Sequence, residues 1–260
     1  MLLAINANNT NVKFAVYDGD RPLGDWRIRT ESARTADEYV VWLSQLMTLA
    51  GLKLVDITDA IIATVVPQAL FNLRMLCERH LRTRPLVVGE PGVSLGVDVL
   101  LEMPVHEVGA DRLANAVGGH VLFQRPLIIV DFGTATTFDV IDAQGRYLGG
   151  VIAPGINLSL EALHGATAKL PRIAVAAPKQ VIGKDTLGAM QSGVYWGYVG
   201  LIEGLVARIR AEFGEQLMVV ATGGLAPLFA KATPVIERHE PEITMRGLVE
   251  IHRRNQGGPR

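Results

Sequence analysis

Residues Leu3–Gly24 run LAINANNTNVKFAVYDGDRPLG, and residues Ile128–Gly149 run IIVDFGTATTFDVIDAQGRYLG. The two stretches align without a gap, and the alignment sets Asn6 opposite Asp131 (131 − 6 = 125). Each is a short apolar strand, a loop of small, hydroxyl and amide residues, and a second apolar strand. A turn follows, Asp18-Gly19-Asp20 in one and Ala143-Gln144-Gly145 in the other, then an arginine and a third strand. β-rich runs joined by glycine-containing turns are hairpins. Each half therefore opens with a β-meander whose first turn has become a loop suited to phosphate. Chance similarity between two hairpins would not hold small polar loops in register over such a length, so we read the pair as an internal duplication.

Outward from each meander the pattern turns helical. Thr35–Leu49 carries Tyr39, Val40, Leu43, Leu46 and Met47 at one-sided helix spacing. Ala60–Val66 reads as a buried strand, Pro67–Leu81 as a helix and Pro85–Val88 as a strand. In the second half Thr186–Phe213 reads as one long helix or two, and Leu217–Ala221 as a buried strand running into Thr222-Gly223-Gly224. The expected fold is α/β: two duplicated domains, each a mixed β-sheet flanked by helices. Their expected spans are 1–117 and 118–254, followed by a flexible tail at 255–260. The basic run from His252 to Arg260, with its Gly-Gly-Pro, is expected to be solvated and frayed.

Composition narrows the function classes. The chain has 260 residues, 49% hydrophobic, with a formal net charge of −1, which gives no footing for a nucleic-acid partner. One cysteine, Cys77, excludes an intrachain disulfide and fits a reducing compartment; it lies among Leu73, Leu76 and Leu81 and reads as packing. No apolar run approaches the ~18 residues of a membrane span, and no signal peptide opens the chain, so a soluble cytoplasmic protein is expected. His80, His106, His120 and His164 show no zinc-ligand spacing. Trp26, Trp42 and Trp196 read as core or interface anchors.

Four segments carry chemistry. Asp131-Phe132-Gly133-Thr134-Ala135-Thr136-Thr137 follows the apolar strand Leu127–Val130. An acid at a strand end, a glycine and three hydroxyls suit phosphate and a cation; alone, the segment is equally an ordinary polar turn. Asn6-Ala7-Asn8-Asn9-Thr10-Asn11, with Val12 and Lys13, holds the same place in the first half. Thr222-Gly223-Gly224 leaves backbone bare for an adenine or ribose, or is a plain helix-entry turn. Gly109-Ala110-Asp111-Arg112 precedes a helix. Asp111 is either its cap or a base for a substrate hydroxyl, and Arg112 is either solvated or a carboxylate clamp.

In this order the segments resemble the actin-like ATPase superfamily, in its duplicated ribonuclease-H-like fold, and within it the type III pantothenate kinases. The specific pieces are GADR at Gly109–Arg112, DFGTATTFDVID at Asp131–Asp142, GGVIAPGI at Gly149–Ile156 and TLGAMQSGVYWG at Thr186–Gly197. The resemblance covers roughly residues 2 to 250. It implies ATP-dependent phosphorylation of pantothenate, the first step toward coenzyme A. It implies Asp111 as general base, Gly109, Ala110, Arg112 and Thr186 as pantothenate contacts, and Asp131 as ligand to a monovalent cation, K⁺ or NH₄⁺. Asn6 to Lys13, Gly133, Thr134, Gly223 and Gly224 would meet ATP, with Mg²⁺, in a homodimer. Gly193, Gly197, Gly200 and Gly204 recur along one predicted helix and permit close packing, between subunits or within one.

The family's first loop reads Asp-x-Gly-Asn-Thr-Asn; Asn6 and Asn8 depart from it. Asn8 is expected to keep a left-handed backbone that a glycine would adopt. Asn6 keeps the shape of an acid without its charge, and an amide is the poorer Mg²⁺ ligand. A non-catalytic relative that binds nucleotide or pantothenate is therefore the alternative reading, and a sugar or acetate kinase is disfavoured by GADR with Thr186.

Overall fold

Both meanders form, and the helices between them follow the apolar spacing. The computed structural model describes residues 1–167 and 170–257. In chain order its elements are β1 (Leu2–Ala7), β2 (Asn11–Asp18), β3 (Arg21–Arg29), α1 (Ala36–Leu49), β4 (Asp59–Thr64), α2 (Pro67–Met75), β5 (Leu86–Val87) and α3 (Ala110–Phe123). The second half adds β6 (Leu127–Phe132), β7 (Ala135–Ile141), β8 (Tyr147–Pro154), α4 (Ile156–Gly165), α5 (Thr186–Phe213), β9 (Met218–Gly223), α6 (Ala226–Phe229), β10 (Arg238–His239) and α7 (Ile243–Arg254). The chain divides into two units: Met1–Phe123 joined by the segment from Glu242 onward, and Gln124–Pro241. A boundary at residue 117 was expected, but α3 runs through it unbroken, and α7 returns to the first unit.

In the first unit the sheet order is β3-β2-β1-β4-β5, with β1 antiparallel to β2 and parallel to β4. All of β1 is buried. Leu3, Ile5 and Ala7 join Val12, Phe14 and Val16 in a core closed by Tyr39, Leu43 and Met47 of α1 and Leu73 of α2. The four-residue spacing of Tyr39, Leu43 and Met47 gives α1 its single buried face. A capping box starts that helix: Glu38 N–H donates to Thr35 Oγ1, and Thr35 N–H donates to Glu38 Oε2 at 2.8 Å. The helix expected to run to Leu81 is α-helical only to Met75; Leu76–His80 continues as a π-turn, closed by Leu81 N–H on the Leu76 carbonyl. Cys77 lies within it, fully buried, with its thiol pushed up to about 12 by burial, so it packs and does not react.

The opposite face of β1 and β4 is covered by α3 and α7. These helices cross at glycines: a methyl on Gly247 would stand 1.8 Å from the Ala114 carbonyl oxygen, and one on Gly118 would stand 2.1 Å from that of Ile243. The frayed tail expected from His252 is corrected by this packing. His252 is buried, Arg254 reaches Glu250 and the Leu95 carbonyl, and Asn255 exchanges two hydrogen bonds with Ser94. Of the tail expected at 255–260, residues 258–260 lie outside the described residues.

In the second unit the order is β10-β9-β6-β7-β8, with β6 antiparallel to β7 and parallel to β9. Ile128, Val130, Phe132, Phe138 and Val140 meet Tyr195, Tyr198, Val199, Ile202 and Val206 of α5. That helix is one piece of 28 residues; Asp185 caps its start and left-handed Gly214 ends it.

The two meanders correspond strand for strand, even to a matching bulge, between Val16 and Tyr17 in one and between Val140 and Ile141 in the other. The gapless alignment nevertheless conceals two shifts that cancel. Ala7 pairs with Val12 across the first loop, but Phe132 pairs with Thr136 across the second, which is one residue shorter. The next turn restores the residue. Thr10 is thus the partner of Thr134, and Lys13 that of Thr137 (134 − 10 = 137 − 13 = 124). One shared bond fixes this correspondence: Thr30 N–H donates to the Thr10 carbonyl at 3.0 Å, and Gly155 N–H donates to the Thr134 carbonyl at 3.1 Å.

Candidate functional site

In the first unit the candidate residues gather where β1 and β4 end. The first loop is tied off by Asn8 N–H on the Asn11 carbonyl at 3.0 Å and by Thr30 Oγ1 donating to the Asn8 carbonyl at 2.6 Å. Among the described non-glycine residues only Arg82 and Gln124 have positive φ. The left-handed backbone expected at Asn8 is therefore absent, and glycine would offer no conformational relief there. Asn6 is 7% exposed, and the side-chain oxygens of Asn6 and Asn8 are buried without a hydrogen-bond partner. Buried amide oxygens without donors cost stability, and two of them fall at this one loop.

Asn6 pairs across the strands with Lys13, so both side chains leave the same face of the sheet. Lys13 is 8% exposed. Its ammonium donates to both oxygens of Glu242 at 2.6 Å and lies 3.3 Å from Asp25. Sequence gave no signal of the Lys13–Glu242 pair, whose members are 229 positions apart.

Val65 N–H bonds the Ala7 carbonyl, and a methyl placed on Gly109 would lie 3.4 Å from Val65 Cγ1 and 2.7 Å from Asp111 Oδ1. The start of α3 therefore reaches the edge of the sheet at which the first loop opens. Asp111 is not the cap of α3 but its second residue, and its Oδ1 accepts from Arg112 N–H at 2.8 Å. Burial raises the Asp111 carboxyl above its ordinary range, opposed by that backbone hydrogen bond and by the Arg112 charge. An acid displaced upward is a stronger base once ionised.

In the second unit Asp131, Gly133, Thr134 and Gly223 come together at the ends of β6 and β9. Asp131 pairs with Thr137 on one side and Thr222 on the other. Gly223 has φ +89, and a methyl there would stand 2.7 Å from Asp131 Oδ1 and 2.6 Å from the Phe132 carbonyl oxygen. Gly224 faces open space. A methyl on Gly155 would lie 2.1 Å from the Thr134 carbonyl oxygen; this residue, within a quoted motif yet not marked as a site, braces the second loop. Tyr198 Oη contacts Thr136 Oγ1 at 2.8 Å and donates to the Pro154 carbonyl at 2.5 Å. Thr186 does not join that group: exposed at the first position of α5, it stands about 18 Å along the helix from Tyr198.

No group of three or more His, Cys, Asp or Glu fit to hold a metal occurs among the described residues, and no described helix is long and apolar enough to cross a membrane.

The chain resembles known proteins over nearly all its length. The sequence profile of type III pantothenate kinase matches residues 2–208. The type III pantothenate kinase of Paramagnetospirillum magneticum is 63% identical over 98% of both chains, and that of Rhodospirillum rubrum is 62% identical over 98% of this chain and 99% of its own. Among solved structures, a conserved putative Baf family transcriptional activator from Campylobacter jejuni superposes with a TM-score of 0.60 at 18% identity, over 97% of this chain and 98% of its own. A putative 2-dehydro-3-deoxygalactonokinase from Sinorhizobium meliloti does so with a TM-score of 0.60 at 13% identity, over 100% and 98%. The structural likeness shows the duplicated actin-like ATPase fold, and the sequence likeness shows more: the chain belongs to the type III pantothenate kinase family.

Proposed function

We propose that this protein transfers the γ-phosphate of ATP to the primary hydroxyl of pantothenate, yielding 4′-phosphopantothenate and ADP, at the entry to coenzyme A synthesis. The observation that carries this reading is Asp111, held at the start of α3 with a carboxyl that burial has made more basic. Asp111 accepts the hydroxyl proton as the oxygen attacks the γ-phosphorus and the bond to the β-phosphate bridging oxygen breaks. Arg112 clamps the pantothenate carboxylate, Gly109 and Ala110 let the substrate approach the backbone, and Thr186 supplies a further contact.

Hydroxyls and backbone N–H groups of the two loops, Asn6 to Lys13 and Gly133 with Thr134, orient the phosphates, while Gly223 and Gly224 leave room for the nucleoside. Asp131 holds a monovalent cation, K⁺ or NH₄⁺. The partnerless oxygens of Asn6 and Asn8 suit Mg²⁺, a hard cation that takes oxygen ligands, and Mg²⁺ on ATP supplies positive charge against the phosphates. Exposed Trp196, with open space over Gly193, Gly197 and Gly200, supports a homodimer that uses this side of α5. The single buried cysteine supports a cytoplasmic location. No comparison favours the non-catalytic alternative.

A coupled assay of ADP release, with and without pantothenate, tests the reading. The expected result is release that depends on pantothenate together with a product heavier by one phosphate. ADP release indifferent to pantothenate would overturn it.

A further inference from the structure

Strand by strand, the pair Asn6–Lys13 of the first meander corresponds to the pair Asp131–Thr137 of the second. One hairpin pairs an acid with a neutral residue; the other pairs a neutral residue with a base. In the first, the base is a buried ammonium committed to Glu242, the residue that leads into α7, and to Asp25 of β3. Side chains paired in this way stand with Cβ atoms about 5 Å apart. A carboxylate at position 6 would therefore share one face of the sheet with the Lys13 ammonium, within the reach of that long side chain.

We propose that Lys13 is a positioning residue that fixes the charge of the first phosphate loop, so that residues 6 and 13 govern metal–nucleotide affinity as a pair and Asn6 is the neutral half of that pair. This rests on the kinase reading and deepens it. Lys13 does not serve as a phosphate ligand, because its ammonium is already spent on two carboxylates. An acid at position 6 acts on the metal only when Lys13 is absent; with Lys13 present, the new carboxylate competes with Glu242 for the ammonium, and little of its charge reaches the nucleotide.

The test is a double-mutant cycle of Asn6→Asp and Lys13→Thr, read by equilibrium titration of each protein with Mn²⁺ and ADP, without turnover. In the presence of Lys13, Asn6→Asp is expected to change the dissociation constant of Mn²⁺–ADP by less than about threefold. In the Lys13→Thr background it is expected to tighten binding by about tenfold, within the coupling usual for residues of one charge network. Lys13→Thr alone lowers Tm, because a buried ion pair with Glu242 and Asp25 is lost; a purely structural Lys13 would do that and nothing more. If Lys13→Thr does not fold, Lys13→Met, which keeps the apolar stem, takes its place. Equal tightening by Asn6→Asp in both backgrounds would overturn the proposal. Failure of the unaltered protein to bind Mn²⁺–ADP at all would instead overturn the kinase reading.

Discussion

The two units keep their acids in different places. In the second, the acid belongs to the strand that leads into the loop: Asp131 is the last residue but one of β6, with Thr137 across from it and Gly223 pressed against its carboxylate. In the first, the loop is neutral, its buried cation is locked away, and the acid arrives from α3 as Asp111. The same hairpin thus carries its acid within one copy, and in the other leaves a neutral loop to which a neighbouring helix start brings an acid. The bracing differs too. Thr30 holds the first loop with a side chain as well as its backbone, whereas Gly155, its counterpart, holds the second with backbone alone and at a separation that admits no Cβ.

The largest expected effect breaks the contrast at its source. Asp111→Asn removes the proposed base and should lower kcat by about 100-fold or more, leaving nucleotide binding intact; single-turnover kinetics with separate nucleotide titration would show it, and unchanged kcat would reduce Asp111 to a helix-start residue. The raised carboxyl also sets a pH limb. Asp111 must be ionised to accept a proton, so kcat/KM should fall on the acid side at a pH above the ordinary carboxylate range of about 3.9.

Gly155→Ala tests the bracing of the second loop. The added methyl collides with a backbone oxygen that cannot rotate aside, so the loop must move, and KM for ATP should rise by about tenfold. Asp131→Asn, in the same loop, should weaken the response to K⁺ by a similar factor, measured as the K⁺ concentration for half-maximal rate. Thr30→Val sharpens the comparison from the other side. It removes one hydrogen bond of about 1 kcal/mol while keeping the backbone contact, so KM for ATP should rise only about two- to fivefold.

The smallest effect is on stability. A carboxyl whose pKa is raised by folding favours the folded state only while protonated, and its ionisation costs the folded state as pH rises through the folded value. Asp111→Asn removes that cost. The variant should melt slightly above the parent at neutral pH, and the gap should close below about pH 3.9, where both states of the parent are protonated.

Much of this was legible in the sequence because it depends on neighbours along the chain. The helix α1 announced itself through the spacing of Tyr39, Leu43 and Met47, and the repeat set Asn6 against Asp131. What stayed hidden has physical reasons. The one-residue difference between the loops is cancelled by the next turn, so an ungapped alignment cannot register it. The return of α7 to the first unit depends on a glycine crossing between Gly118 and Gly247, a match of surfaces with no local signature. The commitment of Lys13 to Glu242 required both.

That return has a consequence for how the protein comes into being. The first unit lacks one of the two helices that cover one face of β1 and β4 until the 118 residues of the second unit (241 − 124 + 1) have been made. The second unit is continuous and can close as soon as its own chain is available. At synthesis rates of about 5–20 residues per second, the half begun first spends many seconds with that sheet face covered by α3 alone and the Lys13 ammonium still without Glu242. The order of completion is thus the reverse of the order of synthesis, and the window in which a chaperone would find a client is written into the connectivity of the chain.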